Sequence, residues 1–265
     1  MPLSALASSQ LLDILRNFRA AYAPVFIPAN DGKALEAFVM MKLAHHVHQA
    51  PMPWTISLRQ GDGTPLPPGA PFGFPNGKSG IRAASLAAPC FIMLQHQQHS
   101  DRRLEMHSSL QWRGRSTAKH EIDVSVIPAV IAESLRGNGG GFPRGLPVAA
   151  IECKDKHGVG PLDETRQKLA RMFDLVLVTQ PGPGWSCRIY ASRTQVQWGT
   201  RSSTYRAFFR KGTFAIVRAG TFQSGAGVLA DHYSVKHCPE IYSLPLSMGK
   251  LETSFRTTLA RIAEF

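Results

Sequence analysis

The chain has acidic residues inside two short segments that are otherwise apolar, and this pattern constrains its fold more than any other feature. The segments are HEIDVSVI at 120–127 and PVAAIECKDK at 147–156. Side chains alternate between the two faces of a strand, so Asp123 points away from the face that Ile122 and Val124 share. A carboxylate on a buried strand is costly unless a cation compensates it. The two segments therefore predict two sheet strands that require a compensating cation.

The second segment leads into a helix and then into another strand. Glu152 and Lys154 share one face of the predicted strand, and Cys153 points to the other face. Residues 162–173 (LDETRQKLARMF) have helical periodicity, and residues 175–179 (LVLVT) form a short apolar run typical of a buried strand. Strand, helix and strand in this order predict a parallel crossover within a mixed α/β sheet.

The remaining periodicity predicts the elements around these strands. Helices are predicted at 4–22, at 31–49 with Asp31 as N-cap, at 129–136 and at 251–262. Further strands are predicted at 54–59, 91–95, 104–112 and 214–218. Pro and Gly recur through 61–89 and predict a long loop. We expect an α/β fold in which helices flank a central mixed β-sheet, with an extra N-terminal helix and a C-terminal elaboration.

Length and composition favour one domain. The 265 residues, of which 43% are hydrophobic, suffice for one substantial core. We expect a single domain over 1–265, with its core at about 30–180 and the C-terminal elaboration at about 181–265. Cys90, Cys153, Cys187 and Cys238 form no Cys-x-x-Cys pair, so neither a zinc knuckle nor a disulfide framework is expected.

Charge and hydropathy narrow the class of partner. The chain has 30 Lys and Arg residues against 18 Asp and Glu residues, a formal net charge of +12. Such an excess attracts polyanions, so nucleic acid is the expected partner, although many basic proteins bind it only non-specifically. No apolar run is long enough for a membrane span, and the N-terminus lacks a signal-peptide pattern. We therefore expect a cytoplasmic protein.

The acidic strands suit the hydrolysis of a phosphodiester. That reaction needs an activated water and neutralisation of charge on the phosphoryl group, which Mg²⁺ or Mn²⁺ held by carboxylates provides. Asp123 and Glu152 suit the role of metal ligands, and the backbone carbonyl of Cys153 is a further hard oxygen ligand. Lys154 is placed to orient the attacking water or to stabilise the developing negative charge.

The order of these residues resembles a known motif. Asp123, then Glu152-Cys153-Lys154 on the next strand, then a helix, is similar to the PD-(D/E)XK motif of restriction-endonuclease-like nucleases. The flanking sequences, HEIDV and IECK, resemble those of Mrr-like restriction enzymes and CRISPR ancillary nucleases. The resemblance covers about 30–180. The proline of the motif is missing before Asp123, and the long separation of Asp123 from Glu152 requires an inserted helix and loop.

The resemblance implies further site residues. The pattern Gly32-x-x-x-Glu36-x-x-Val39 is similar to the glutamate-bearing helix before the core sheet, which makes Glu36 a further metal ligand or a ligand to a metal-bound water. Polar residues of the helix after the motif contact the scissile phosphate in similar nucleases. On this basis the expected nucleic-acid contacts near the site are Lys156, Arg166, Gln167 and Lys168. In the tail, basic residues among aromatics suit phosphate contact, and those expected to bind are Arg206, Arg210 and Lys211.

Each assignment has a structural alternative. Asp123 and Glu152 could form ordinary strand-end ion pairs with Lys154 or Lys156. Glu36 and the polar residues after the motif could be solvated helix residues. Glu121 is either a second ligand or an exposed charge. His120 either assists proton transfer or only flanks the strand.

These observations lead to an expected function. We expect a metal-dependent DNA endonuclease of prokaryotic defence, mobile-element or repair type, which uses water attack without a covalent enzyme intermediate. Two alternatives stay open: a non-catalytic nucleic-acid-binding or assembly subunit with the same fold, and an RNA-directed nuclease. Cutting both strands of a duplex usually requires two active sites, so a homodimer or a larger defence or CRISPR assembly also stays open.

Overall fold

A computed structural model describes residues 31–176, 185–190, 197–202 and 212–263, and one mixed β-sheet lies at its centre. In chain order the strands are β1 (Trp54–Arg59), β2 (Ile81–Arg82), β3 (Phe91–His96), β4 (Arg103–Arg113), β5 (Lys119–Pro128), β6 (Gly140–Gly141), β7 (Ala149–Lys154), β8 (Trp185–Tyr190), β9 (Gln197–Ser202), β10 (Thr213–Arg218) and β11 (Lys236–Cys238). Seven of them form the main sheet in the order β1-β3-β4-β5-β7-β10-β11. β2 pairs with β6, and β8 pairs with β9.

Helices flank this sheet, which confirms the predicted α/β class. They are α1 (Asp31–Gln49), α2 (Ala129–Gly137), α3 (Leu162–Leu175), α4 (Ser224–His232) and α5 (Pro245–Ala263). Among the helices of the described ranges, none combines the length and the apolar character needed to cross a membrane.

Strand direction divides the main sheet into two parts. From β1 to β7, each strand runs antiparallel to its neighbour in the sheet. β7, β10 and β11 run parallel to one another. Parallel neighbours require a crossover connection, and the chain between β7 and β10 includes α3. The C-terminal ends of β7 and β10 therefore lie at the same edge of the sheet.

Helix α1 is a central helix of the fold. Its sequence is rich in Ala, Leu and Met, which are strong helix formers. Every side chain from 34 to 41 is buried, because α1 packs against β1, β4, β5, β7 and α5. This packing buries Glu36, which is only 6% exposed. Glu36 is therefore not the solvated helix residue that was its structural alternative.

The predicted strand at 175–179 does not begin at Leu175. Leu175 is the last residue of α3, and Val176 belongs to no strand, while 177–179 lie outside the described residues. Leu175 lies three residues after the buried Met172, so it continues the apolar face of the helix. The predicted helix at 4–22 also lies outside the described residues.

The strand that returns parallel to β7 is β10, which comes much later in the chain. The register pairs Ile216 with Glu152 and Arg218 with Lys154. β10 and β11 are strands of the main sheet, so the core extends well beyond residue 180. The segment after 181 is thus more than an elaboration of a finished core, because its strands complete the sheet beside the acidic motif.

A buried ion pair joins α2 to β4. Glu105 is fully buried, and its carboxylate accepts hydrogen bonds from both terminal nitrogens of Arg136, one of them at 2.8 Å. His107 Nε2 lies 2.9 Å from Glu105 Oε2. A buried carboxylate that loses its cation has no water to replace it. Arg136 therefore stabilises the fold by compensating Glu105.

Replacing Arg136 with methionine is expected to destabilise the protein by about 3–5 kcal/mol, because it leaves the buried Glu105 carboxylate with the His107 ring in place of a permanent cation. The control is Arg103→Met, since Arg103 pairs with Glu133 at 2.7 Å but both side chains are more than a third exposed. This control should cost less than about 1 kcal/mol. Urea unfolding measures both, and equal losses would contradict the role assigned to Glu105.

Candidate active site

Asp123 and Glu152 occupy facing positions on neighbouring strands. The antiparallel register of β5 and β7 pairs Val124 with Ile151, and Asp123 and Glu152 are the next residue along each strand. Opposed residues of an antiparallel pair project from the same side of the sheet. The N–H of Cys153 donates a hydrogen bond of 2.7 Å to Asp123 Oδ2, so the Asp123 side chain binds the backbone of β7 directly. The structure thus brings the two predicted carboxylates together.

Glu152 is buried among cationic side chains. Its Oε1 accepts hydrogen bonds from Lys154 Nζ at 2.8 Å and from Arg171 Nη1 at 2.7 Å. Its Oε2 is buried and has no hydrogen-bond partner within the described part of the chain. Lys168 lies three residues before Arg171 on α3, so both residues project from the same face of the helix towards Glu152. One carboxylate therefore has three basic neighbours.

Glu36 joins the same group of charges from α1. Lys33 Nζ donates to Glu36 Oε1 at 2.8 Å, and Ser109 Oγ donates to Glu36 Oε2 at 2.6 Å. The carboxylate of Glu121 lies 3.6 Å from Lys33 Nζ. Lys33 therefore links Glu36 and Glu121, while the charge of Glu36 acts on Asp123.

At Ser109, the pairing of β4 with β5 skips one position. It lies between Ser108, which pairs with Val124, and Leu110, which pairs with Ile122, and this places it across from Asp123. Its φ angle is 52°, a left-handed conformation that serine rarely adopts. Such conformations occur often at functional sites. Ser109 is also the residue through which β4 contacts Glu36.

The pKa values of the carboxyl groups reflect this crowding. Burial, together with the charges of Glu152 and Glu36, raises the pKa of Asp123 from 3.8 to about 7. Burial also raises the pKa of Glu36, although Lys33 and Ser109 oppose the shift. Burial acts in the same direction on Glu152, but its basic neighbours outweigh burial and hold the pKa of Glu152 below its usual value. At neutral pH, ionising Asp123 opposite the charged Glu152 therefore costs free energy, and Asp123 keeps its proton more readily than an exposed aspartate does.

The pKa values of Lys154 and Lys168 shift in opposite directions. Burial would lower the pKa of Lys154, but the charges of Glu152 and Asp123 raise it above its usual value. Lys168 is only 3% exposed, and burial lowers its pKa despite the attraction of the same carboxylates. Lys154 is therefore firmly cationic at neutral pH.

The donor groups suit a hard divalent cation. Asp123, Glu152 and Glu36 supply carboxylate oxygens, and the Cys153 carbonyl stays a predicted ligand. No cluster of three or more His, Cys, Asp or Glu side chains positioned for a metal occurs in the described ranges. Mg²⁺ usually needs only one or two carboxylates together with water and substrate phosphate. The unpartnered Glu152 Oε2 and the raised pKa of Asp123 both indicate that an added cation would stabilise the site.

The predicted nucleic-acid contacts differ in their surroundings. Lys156 and Gln167 are exposed, and Arg166 is exposed with an ion pair of 2.9 Å to Asp163. Lys168 is buried beside Glu152, where its charge compensates the carboxylates. Its contact with the nucleic-acid backbone stays a prediction. The contacts predicted in the tail, at Arg206, Arg210 and Lys211, lie outside the described residues.

Sequence reasoning missed several residues of the site. Lys33 and Arg171 belong to it through ion pairs of 2.8 and 2.7 Å, and each stands three residues from another site residue on its own helix. That spacing was a usable signal. Ser109 gave no signal, because nothing in a strand sequence indicates a left-handed serine.

His120 has a structural partner. Its Nε2 lies 2.6 Å from Asp174 Oδ2 at the end of α3, and Asp174 also accepts from the Ser116 hydroxyl at 2.6 Å. Gly114 leaves room for the Asp174 carboxylate in this turn, because a Cβ there would lie 1.9 Å from Asp174 Oδ2. These contacts fasten the β4–β5 turn to α3 and support the interpretation of His120 as a flanking residue.

No protein-family model matches the chain, and no curated protein or solved structure is significantly similar to it. Any proposal about function therefore depends on the site itself.

Replacing Asp123 with asparagine is expected to stabilise the metal-free protein at about pH 8. The raised pKa means that the folded state holds the proton more tightly than the unfolded chain, so stability falls as pH rises from 3.8 to about 7. Asparagine cannot ionise but still accepts the Cys153 hydrogen bond. Since a tenfold difference in proton affinity corresponds to roughly 1.4 kcal/mol, the gain should amount to a few kcal/mol. Urea unfolding in chelator measures it.

The same comparison below about pH 3 is an internal control, because Asp123 is then largely protonated in both states and the gain should vanish. Added Mg²⁺ at about pH 8 should stabilise the wild-type protein but not the variant. A variant that is less stable than wild type at this pH in chelator would show that Asp123 is not crowded by like charges.

Proposed function

We propose that this protein is a divalent-metal-dependent nuclease that hydrolyses DNA, with a restriction-endonuclease-like core. The observation that carries the proposal is the facing pair Asp123 and Glu152, with Lys154 Nζ 2.8 Å from Glu152. Two crowded carboxylates with an adjacent ammonium are suited to hold a cation and a phosphate together. The net charge of +12 suits a polyanionic substrate.

The order of the elements supports the same core. A helix carries Glu36, an antiparallel strand carries Asp123, the next strand carries Glu152 and Lys154, and a helix then precedes a strand parallel to β7. This is the order that the resemblance to PD-(D/E)XK nucleases implies. The helix inserted between the two acidic strands is α2, which packs against β4 and β5.

Each residue has a distinct part in the proposed reaction. Asp123 and Glu152 would hold the cation, and Glu36 would be a further ligand to the metal or to a metal-bound water. A bound Mg²⁺ or Mn²⁺ ion would supply charge neutralisation at the phosphoryl group and a more acidic water. Lys154, kept protonated by Glu152, donates hydrogen bonds that orient the attacking water or stabilise the negative charge that develops on the phosphate oxygens.

One observation favours the alternative of a non-catalytic nucleic-acid-binding or assembly subunit. The Lys154 ammonium already contacts Glu152, and the described side chains form no preassembled metal cluster. In such a subunit the lysine would substitute permanently for the metal. A homodimer or a larger defence assembly suits either function.

Replacing Glu152 or Lys154 with alanine is expected to reduce Mg²⁺-dependent cleavage of DNA by roughly a hundredfold to a thousandfold, because each change removes charge stabilisation at the reacting phosphate. Gel assays with plasmid, linear duplex and single-stranded DNA, in Mg²⁺, Mn²⁺ or chelator, measure the loss. Affinity for DNA should change far less than the rate.

The matched control for Lys154 is Lys236→Ala on β11, and the control for Glu152 is Asp163→Asn on α3, since both residues are exposed. These controls should retain cleavage. Labelled RNA assayed beside the DNA distinguishes an RNA-directed nuclease. Full activity of Glu152→Ala, or cleavage that persists in chelator, would refute the assignment.

A further inference from the structure

Two cations share a single oxygen of Glu152, and they differ in their freedom to move. Lys154 Nζ and Arg171 Nη1 both contact Oε1, at 2.8 and 2.7 Å. Lys154 is on β7, two residues from Glu152 itself. The Arg171 side chain is 33% exposed and reaches Glu152 from α3. Lys168, the third basic neighbour, is confined by burial.

We propose that Arg171 is an exchangeable counterion, which leaves Glu152 when a divalent cation binds and then contacts a phosphodiester of the nucleic acid. This inference rests on the proposed function, because it requires the cation at Asp123 and Glu152. It adds a phosphate-binding residue and a link between two binding events.

The exchange follows from the charges around Glu152. A divalent cation brings two positive charges next to Lys154, Lys168 and Arg171 in a partly buried site, where like charges repel more strongly than in water. A carboxylate oxygen that ligates the cation also has less capacity to accept two charge-assisted hydrogen bonds. Of the three basic side chains, Arg171 is the most exposed and can leave at the lowest cost.

A released Arg171 is well suited to bind phosphate. Its planar guanidinium offers paired N–H donors that match phosphate oxygens. It starts from a position 2.7 Å from a proposed metal ligand, so a phosphate bound to the same cation lies within its reach. Metal binding thus prepares a phosphate contact, and by reciprocity phosphate binding strengthens metal binding.

The test measures the coupling of the two binding events. Ca²⁺ is titrated by calorimetry with and without a short DNA duplex that gel electrophoresis shows to stay intact, at a pH where Asp123 is ionised. In the wild-type protein Ca²⁺ should increase DNA affinity by about tenfold or more. In Arg171→Ala this coupling should fall below about twofold. Without DNA, the same variant should bind Ca²⁺ as tightly as wild type or more tightly, because a competing cation is gone.

Two further variants keep the test specific. Arg171→Gln retains a polar side chain of similar length without the charge, and it should behave like Arg171→Ala. Arg166→Ala removes an exposed cation of the same helix, so it should weaken DNA binding equally with and without Ca²⁺ and leave the coupling unchanged.

The outcomes separate this inference from the proposed function. If the Asp123→Asn variant binds Ca²⁺ as tightly as the wild-type protein, the proposed metal site is wrong and this inference is wrong with it. If Ca²⁺ binds at Asp123 but Arg171→Ala retains the wild-type coupling, the inference alone is overturned. A lower Ca²⁺ affinity of Arg171→Ala in the absence of DNA would also overturn it, because Arg171 would then support the metal site rather than compete for it.

Discussion

The site depends on holding two carboxylates face to face at the point where β5 and β7 cease to pair. A buried carboxylate is costly, and a second one across from it adds repulsion. The raised pKa of Asp123, about 7, expresses that cost. Neighbouring groups offset this cost. The Cys153 N–H donates a hydrogen bond to Asp123, and basic side chains from β7 and α3 keep Glu152 ionised.

The fold supplies these compensating charges from separate parts of the chain. α1 is buried against the sheet, and its Lys33 and Glu36 enter the site as an ion pair. α3 contributes Lys168 and Arg171 on the face that meets the sheet. In the metal-free protein, Glu152 Oε1 already contacts two cationic side chains, Lys154 and Arg171. On the proposed function, the entry of a metal would therefore require the replacement of existing partners, and the described residues contain no preassembled ligand cluster.

Much of the fold could be predicted from the sequence, because its hydrophobic periodicity is clear. The helix at 31–49 and the strand at 54–59 occur as predicted, and the acidic segments are strands of one sheet. The parallel partner of β7 could not be predicted, since β10 is distant in sequence and only tertiary packing brings it beside Glu152. Likewise the burial of Lys168 and the left-handed Ser109 depend on contacts between elements that local patterns do not encode.

The proposed chemistry requires that Asp123 and Glu152 together hold one divalent cation. Anomalous diffraction from crystals soaked in Mn²⁺ would locate that cation. We expect a peak between the two carboxylates, with metal–oxygen distances of roughly 2.1 Å and the Arg171 guanidinium displaced from Glu152. A map without such a peak, in which the Lys154 ammonium bridges both carboxylates, would contradict the metal site and favour a binding subunit.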